Sequence, residues 1–374
     1  MKARGNFAIT VETPEDDPRA DLIRASSRGG ITLVLGAGIS VARRLPNWNS
    51  LAQDLWREAF PRRKSPWNAA AKVKSPREVP QFLPIVFELA YAKLGAQPFL
   101  DTLRTKLYQK ARFPVKDRKF SRSHESLAVL ARLIVQEFRL GRDRRVDSII
   151  TFNADDMLEQ AACALGGGFS WKLGEEVVRI VARPTHAALR GDRFRPIPVY
   201  HIHGFVPSNI ASNYRVRHGG QGRAFTDSSD YMLVFTDAQY WSTSATALAF
   251  ANRVMLSALS ETRCVFIGLS MTDINLLRWL ALRTLERDRD LTELRGFDQR
   301  PATTLQVQRE KQMFNRHFWI RPASDDPTGF LSRFLAVRGI RSVKLRNWTG
   351  LEFQRLIQKC FPKRATRIRP KKKP

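Results

Sequence analysis

The chain has 374 residues, 43% of them apolar, and a formal net charge of +28. That length supports a large core and one or two domains, while a mean hydropathy of −0.33 and the lack of any apolar run near the roughly 18 residues of a membrane span argue against a helical membrane protein. Three widely spaced cysteines, Cys163, Cys264 and Cys360, form no CxxC pair, which argues against a cysteine zinc site or a disulfide framework.

The positive charge points to an anionic partner, nucleic acid among them, or to a plainly basic surface. The excess is spread along the chain and is densest at 116–122 and in the tail from Lys363 to Lys373. The N-terminus has no signal-type apolar core, so a cytoplasmic protein is expected.

The first element in chain order is a strand at 31–35, which runs into Gly36-Ala37-Gly38-Ile39-Ser40. A buried strand entering a glycine turn is how an α/β protein offers backbone N–H groups, and the start of a following helix, to a pyrophosphate. A dehydrogenase fingerprint would place Gly or Ala at position 41 and an acid about 20 residues on. Val41 takes the first place, and Asp54 falls inside an amphipathic helix at 51–60. Between turn and helix, Trp48 is either a pocket wall or a helix-start staple.

Further helices are expected at 84–94, 98–111 and 124–138. Residues 60–123 carry many prolines and no convincing strand, and read as a helical insertion. A second strand at 146–151 ends in Thr151-Phe152-Asn153-Ala154-Asp155-Asp156. Asn153 has a donor and an acceptor with which to fix a ribose hydroxyl or a water, and Asp155 can accept from a carboxamide; both residue types also cap helices.

A third strand, 197–202, leads through Tyr200-His201-Ile202-His203-Gly204. Residues two apart share a strand face, so His201 and His203 are expected to point the same way. No third ligand cluster accompanies them, so no metal is assigned. His203, at a strand end, is placed to act as a base near neutral pH.

The Gly/Ser/Arg-rich stretch 204–230 reads as a mobile loop. A strand at 231–235, a helix at 245–260 and a strand at 264–267 follow. The last ends in Gly268-Leu269-Ser270 with Asp273 and Asn275, where Ser270 can reach a ribose and Asp273 can cap the next helix, 275–286. A polar loop to Arg300, strands at 317–320 and 338–345, and a helix at 351–361 complete the pattern. Strands alternating with helices imply α/β architecture with a doubly wound, mostly parallel sheet.

Taken together, these segments resemble the SIR2-like family in its bacterial form. The resemblance rests on Gly36-Ala-Gly-Ile-Ser40 with Pro46 and Trp48, Thr151-Phe-Asn-Ala-Asp155 with Leu158-Glu159, His203-Gly204, Val234-Phe-Thr236 with Tyr240, and Gly268-Leu-Ser270 with Asp273 and Asn275. It implies a Rossmann-like NAD-binding domain (1–59 and 124–362), an inserted helical lobe (60–123) and a basic disordered tail (363–374).

The resemblance further implies cleavage of NAD at the nicotinamide–ribose bond, NAD being substrate. Gly36, Ala37, Gly38, Ser40, Trp48, Gly268, Ser270 and Asp273 would bind it, and Asn153, Asp155 and His203 would do the chemistry. Bacterial relatives of this kind deplete NAD in antiviral abortive infection, often as oligomers and often with a HerA-type ATPase or an Argonaute. ADP-ribosyl transfer, protein deacylation and an ADP-ribose-sensing, nucleic-acid-associated module are the alternatives. The chain lacks the sirtuin zinc ribbon, has Phe152 where deacylases have Gln, and has no arginine in its 44–49 loop, all of which disfavour deacylation.

Overall fold

The computed structural model describes residues 17–63, 83–165, 177–182, 196–208, 217–218, 221–222, 233–246, 248–297, 317–348 and 351–363. The described chain begins with helix α1 (Pro18–Ser27), strand β1 (Ile31–Leu35) and helices α2 (Trp48–Ala59), α3 (Leu83–Leu94), α4 (Ala96–Tyr108) and α5 (Ser126–Leu140). Then come β2 (Val146–Thr151), α6 (Met157–Leu165), β3 (Val178–Val181), β4 (Ile197–His201), α7 (Asp237–Ala245) and α8 (Phe250–Glu261). The chain continues through β5 (Arg263–Ile267), α9 (Ile274–Phe297), β6 (His317–Pro322), α10 (Phe330–Val337), β7 (Ile340–Leu345) and α11 (Leu351–Cys360).

These seven strands form one sheet in the order β3-β4-β2-β1-β5-β6-β7, with every neighbouring pair parallel; Arg217–His218 and Gln221–Gly222 form a separate two-stranded antiparallel pair. All five residues of β1 are buried, as expected of a central strand covered on both faces. Its one polar side chain, Thr32, is satisfied by its neighbours: its hydroxyl accepts from Thr262 Oγ1 at 2.8 Å and lies 3.0 Å from Ser148 Oγ.

Alternation along the strands separates two cores. Leu33, Leu35, Ile149, Val199, Val265 and Ile320 face one cluster with residues of α2–α6 and α11. Val34, Ile150, Phe266 and Trp319 face the other, built with α8, α9 and Leu335 of α10. Helices thus cover both faces of a parallel sheet, the doubly wound arrangement read from the sequence. Buried Val86, Phe87, Phe99 and Leu103 of α3 and α4 belong to the first cluster, so this part of the 60–123 stretch packs into the same core.

The connection after β1 leads to β2 on one side, whereas that after β4 crosses to β5 on the other. The winding direction therefore reverses between β1 and β5, and a crevice at the carboxyl ends of these strands is where such sheets bind ligands.

Several local expectations are corrected. Residues 233–235 are not a strand (231–232 lie outside the described residues); Val234 N–H donates to His203 O, and Thr236 starts α7 with a reciprocal capping box to Gln239. The expected helix at 245–260 starts only at Phe250, with Ala249 as N-cap, and a separate helix, α7, precedes it and ends at Ala245. The expected loop from 287 is helical to Phe297, because Arg, Asp, Leu and Glu there are tolerated or favoured in helices and no glycine or proline precedes Gly296. Strand β3 and helices α1 and α10 had no clear sequence signal. Most of 204–230, and the tail from 364, lie outside the described residues.

Candidate functional site

The glycine turn after β1 is built by backbone contact with the turn after β5. Gly36 N–H donates to Ile267 O and Gly38 N–H to Gly268 O, both at 3.0 Å. A Cβ on Gly36 would lie 2.5 Å from Gly268 O, and one on Gly38 would lie 2.8 Å from Gly268 Cα. Gly268 itself has φ +69, the left-handed region that favours glycine, and a Cβ there would meet Ile39 N at 2.8 Å.

Contrary to expectation, two short 3-10 turns, Ala37–Ile39 and Val41–Arg43, follow the strand, and the α-helix waits until Trp48. The N–H groups of Gly36, Gly38, Ile39 and Ser40 all donate to main-chain carbonyls. The glycines therefore fit the two turns together, and an anion would meet chiefly the remaining N–H of Ala37 rather than a ring of free amides.

Beside this turn lies a small cleft lined by Ala37, Ser40, Leu45, Pro46, Trp48, Leu51, Leu107, Asn153, Ala154, Asp155 and Phe235. Trp48 lines this cleft. It is the first residue of α2, whose N-cap Asn47 accepts from Ser50 N–H, and it packs edge-on against Phe235 (5.1 Å between ring centroids) and Phe87 (6.1 Å).

Asn153 follows the end of β2 and is 5% exposed. Its Nδ2 donates to Gly36 O at 3.3 Å, which ties it to the glycine turn, while its Oδ1 is buried with no hydrogen-bond partner among the described residues. Asp155 Oδ1 accepts from Met157 N–H at 3.1 Å and stands 3.5 Å from Ser40 Oγ. Burial above all, with help from the Glu159 and Asp156 carboxylates, pushes its acid up to about 7 against the pull of the Met157 N–H and His201.

His203 sits two residues beyond β4 with its ring against Phe152 (5.0 Å) and Tyr240 (5.5 Å). Its Nε2 is buried without a hydrogen-bond partner among the described residues, and is 3.9 Å from Asp273 Oδ2. Burial lowers the imidazole below its ordinary value, and the Asp273 charge partly opposes this. Asp273 does two jobs: Oδ1 accepts from Leu276 N–H and caps α9, and Oδ2 accepts from Tyr240 OH at 3.3 Å. Ser270 is on the exposed turn, paired with Thr272 Oγ1.

The two histidines do not share a face. The strand ends at His201, residues 202–203 turn, and His201 points into the opposite core, where its ring meets Phe205 (4.7 Å) and its nitrogens meet Glu159 and Asn153 O. Among the described residues no group of three or more His, Cys, Asp or Glu side chains is arranged to hold a metal ion.

Sequence reasoning missed the support beneath the cleft. Asp156 accepts from Gln160 Nε2, Ser208 N–H and Ser208 Oγ, and its own N–H donates to Tyr108 OH, which also reaches Val206 O at 2.6 Å. The Asp-Asp pair was visible in the sequence; Tyr108 and Ser208, 48 and 52 residues away, were not.

Residues 147–341, just over half of the chain, match the family described as SIR2-like domain. The matched span contains Asn153, Asp155, His203, Gly268 and Asp273, and excludes the turn at Gly36. No curated protein matches the chain.

Proposed function

Because this chain belongs to the SIR2-like family, we propose that it acts on NAD as a hydrolase, cleaving the nicotinamide–ribose bond to give ADP-ribose and nicotinamide. The observation that carries this reading is the pair of buried, unpartnered atoms, Asn153 Oδ1 and His203 Nε2, on neighbouring strand ends. Buried polar atoms are nearly always bonded, and exceptions concentrate where a ligand or water completes the set.

In the proposed reaction, the C–N bond breaks with its electron pair passing to the nicotinamide nitrogen, which neutralises the pyridinium. The ribosyl carbon becomes oxocarbenium-like, as in other glycoside cleavages. Asn153, held on one side by Gly36 O, turns its free carbonyl to a ribose hydroxyl or to the attacking water. The water oxygen bonds the ribosyl carbon, and its proton leaves through His203, which burial keeps neutral and able to accept it. Asp155 and Trp48 would flank the nicotinamide, with Ser40 beside Asp155, and the Ala37 N–H would face the phosphates.

A cellular role in antiviral NAD depletion belongs to the same proposal, as do a cytoplasmic location, a homo-oligomer, a HerA-type or Argonaute-type partner and nucleic acid as a trigger. They are supported by the family resemblance and by the charge of +28. The test is release of nicotinamide and ADP-ribose from NAD by the purified chain, alone and with added nucleic acid. Loss of the base is expected to lower the rate about 10²–10⁴-fold in His203→Ala, and Asn153→Ala is expected to abolish turnover. Undiminished turnover by Asn153→Ala would overturn the assignment.

A further inference from the structure

His201 is absorbed by neither a metal site nor the chemistry above, yet it is 1% exposed and bonded at both ring nitrogens. Nδ1 is 3.1 Å from the Asn153 carbonyl oxygen, and Nε2 is 2.8 Å from Glu159 Oε1. Both neighbours are acceptors. A ring with one N–H satisfies one of them and turns a lone pair on the other, unless the acid carries the second proton. Phe205 packs edge-on against the ring at 4.7 Å, so the imidazole is held in place.

With an N–H on each nitrogen the ring would satisfy both acceptors. Glu159 is also 1% exposed, and its second oxygen has no hydrogen-bond partner among the described residues. The Asp155 and Asp156 carboxyls lie in the same acidic group, with Glu159 acting on both and His201 on Asp155. An imidazolium here supplies a cation to a buried set of acids, and a two-ended clamp between α6 and the chain that follows β2.

Building on the NAD-cleavage reading, we propose that His201 and Glu159 are positioning residues, in which an imidazolium–carboxylate pair grips the Asn153 main chain and thereby aims the Asn153 carboxamide. The carboxamide is already tied to Gly36 O at its nitrogen. With the backbone carbonyl fixed as well, the remaining free atom, Oδ1, has one direction. A small rotation would remove it from the reacting carbon without removing the residue, and misplacement of that kind lowers turnover more than binding.

The experiment compares kcat and KM for NAD in the full chain, in Glu159→Ala and in Glu159→Gln, with folding checked by far-UV circular dichroism. It adds ¹⁵N spectra of the imidazole nitrogens. Glu159→Ala is expected to lose at least about tenfold in kcat with KM changed by less than about twofold. Glu159→Gln is expected to recover most of that loss, because its amide N–H can donate to Nε2 while Nδ1–H stays on Asn153 O.

The His201 signal, assigned from its change between variants, is expected to show both ring nitrogens protonated in the native chain and Nδ1 alone in Glu159→Gln. A native ring with a single N–H overturns the proposal, as does a folded Glu159→Ala protein with native kcat. If the native chain releases no nicotinamide, the hydrolase reading fails on that result alone. The nitrogen spectrum then decides whether the protonated clamp exists.

Discussion

Gly38 and Gly268 meet backbone to backbone: the Gly38 N–H donates to Gly268 O at 3.0 Å, and a Cβ on Gly38 would stand 2.8 Å from Gly268 Cα. Neither neighbour is a side chain that can swing away, so Gly38→Ala forces main chain apart at the strand switch. Overpacking of this kind costs about 1–3 kcal/mol, and at Gly268, φ +69, an alanine adds about 1–2 kcal/mol of left-handed strain. Gly329 also has φ +69 but open space around it, so Gly329→Ala isolates the strain alone. Urea unfolding is expected to rank Gly268→Ala as most damaging, then Gly38→Ala, then Gly329→Ala. A Gly38→Ala midpoint equal to the native one would refute the interlock.

The pairing of His203 with Asp273 makes a prediction about pH. A base works when neutral, and burial holds His203 below its ordinary 6.5 while Asp273 raises it. The acid limb of kcat/KM is therefore expected below pH 6.5. Asp273→Asn removes the opposing charge but keeps an oxygen for Leu276 N–H, since Asn caps as well as Asp. Without the carboxylate the imidazole is harder to protonate, so the acid limb should move to lower pH. Movement to higher pH, or none, would show that His203 is not the titrating base.

The architecture was legible because its signals are local. Continuous apolar runs ending in small-residue turns gave β1, β2, β4 and β5 with their order of motifs, and the amphipathic stretches gave α2 to α5. What escaped was decided at a distance. Leu233-Val234-Phe235 has the composition of a strand, but Val234 N–H is claimed by His203 O and Phe235 by Trp48 and Phe87. The role of Gly36 and Gly38 changed for the same reason: a glycine pair near a phosphate and a glycine pair against another glycine look alike until the partner strand is placed. Likewise, His201 and His203 are two apart in sequence, but the strand stops between them.

Asp155 ties the cleft to stability. Its acid is pushed up to about 7 in the folded chain, chiefly by burial, from an ordinary 3.8. The folded state thus binds the proton more tightly than the unfolded one. The sign follows: this contribution is fully present below about pH 4 and is lost as pH rises through 7. The difference corresponds to something on the order of 4 kcal/mol. Urea midpoints of the native chain are expected to fall between about pH 4 and about pH 7, the window of this group, and Asp155→Asn, which cannot ionise, should flatten that part of the fall. Equal slopes for the two proteins would remove Asp155 as the cause.

Tyr108, at the end of α4, joins the inserted helices to the cleft. Its hydroxyl accepts from Asp156 N–H at 2.9 Å and lies 2.6 Å from Val206 O, so one atom links α4 to the start of α6 and to the segment after β4. Removing it leaves a buried N–H and a buried carbonyl without that partner, which costs about 1–3 kcal/mol. Tyr91 on α3 is 36% exposed, and its hydroxyl is expected to be nearly silent. Tyr108→Phe should therefore lower the urea midpoint clearly and Tyr91→Phe hardly at all. Because Asp156 adjoins Asp155, Tyr108→Phe should also raise KM for NAD by loosening the cleft floor, whereas Tyr91→Phe should not. A Tyr108→Phe protein with native stability and native KM would show that α4 is held by its apolar face alone.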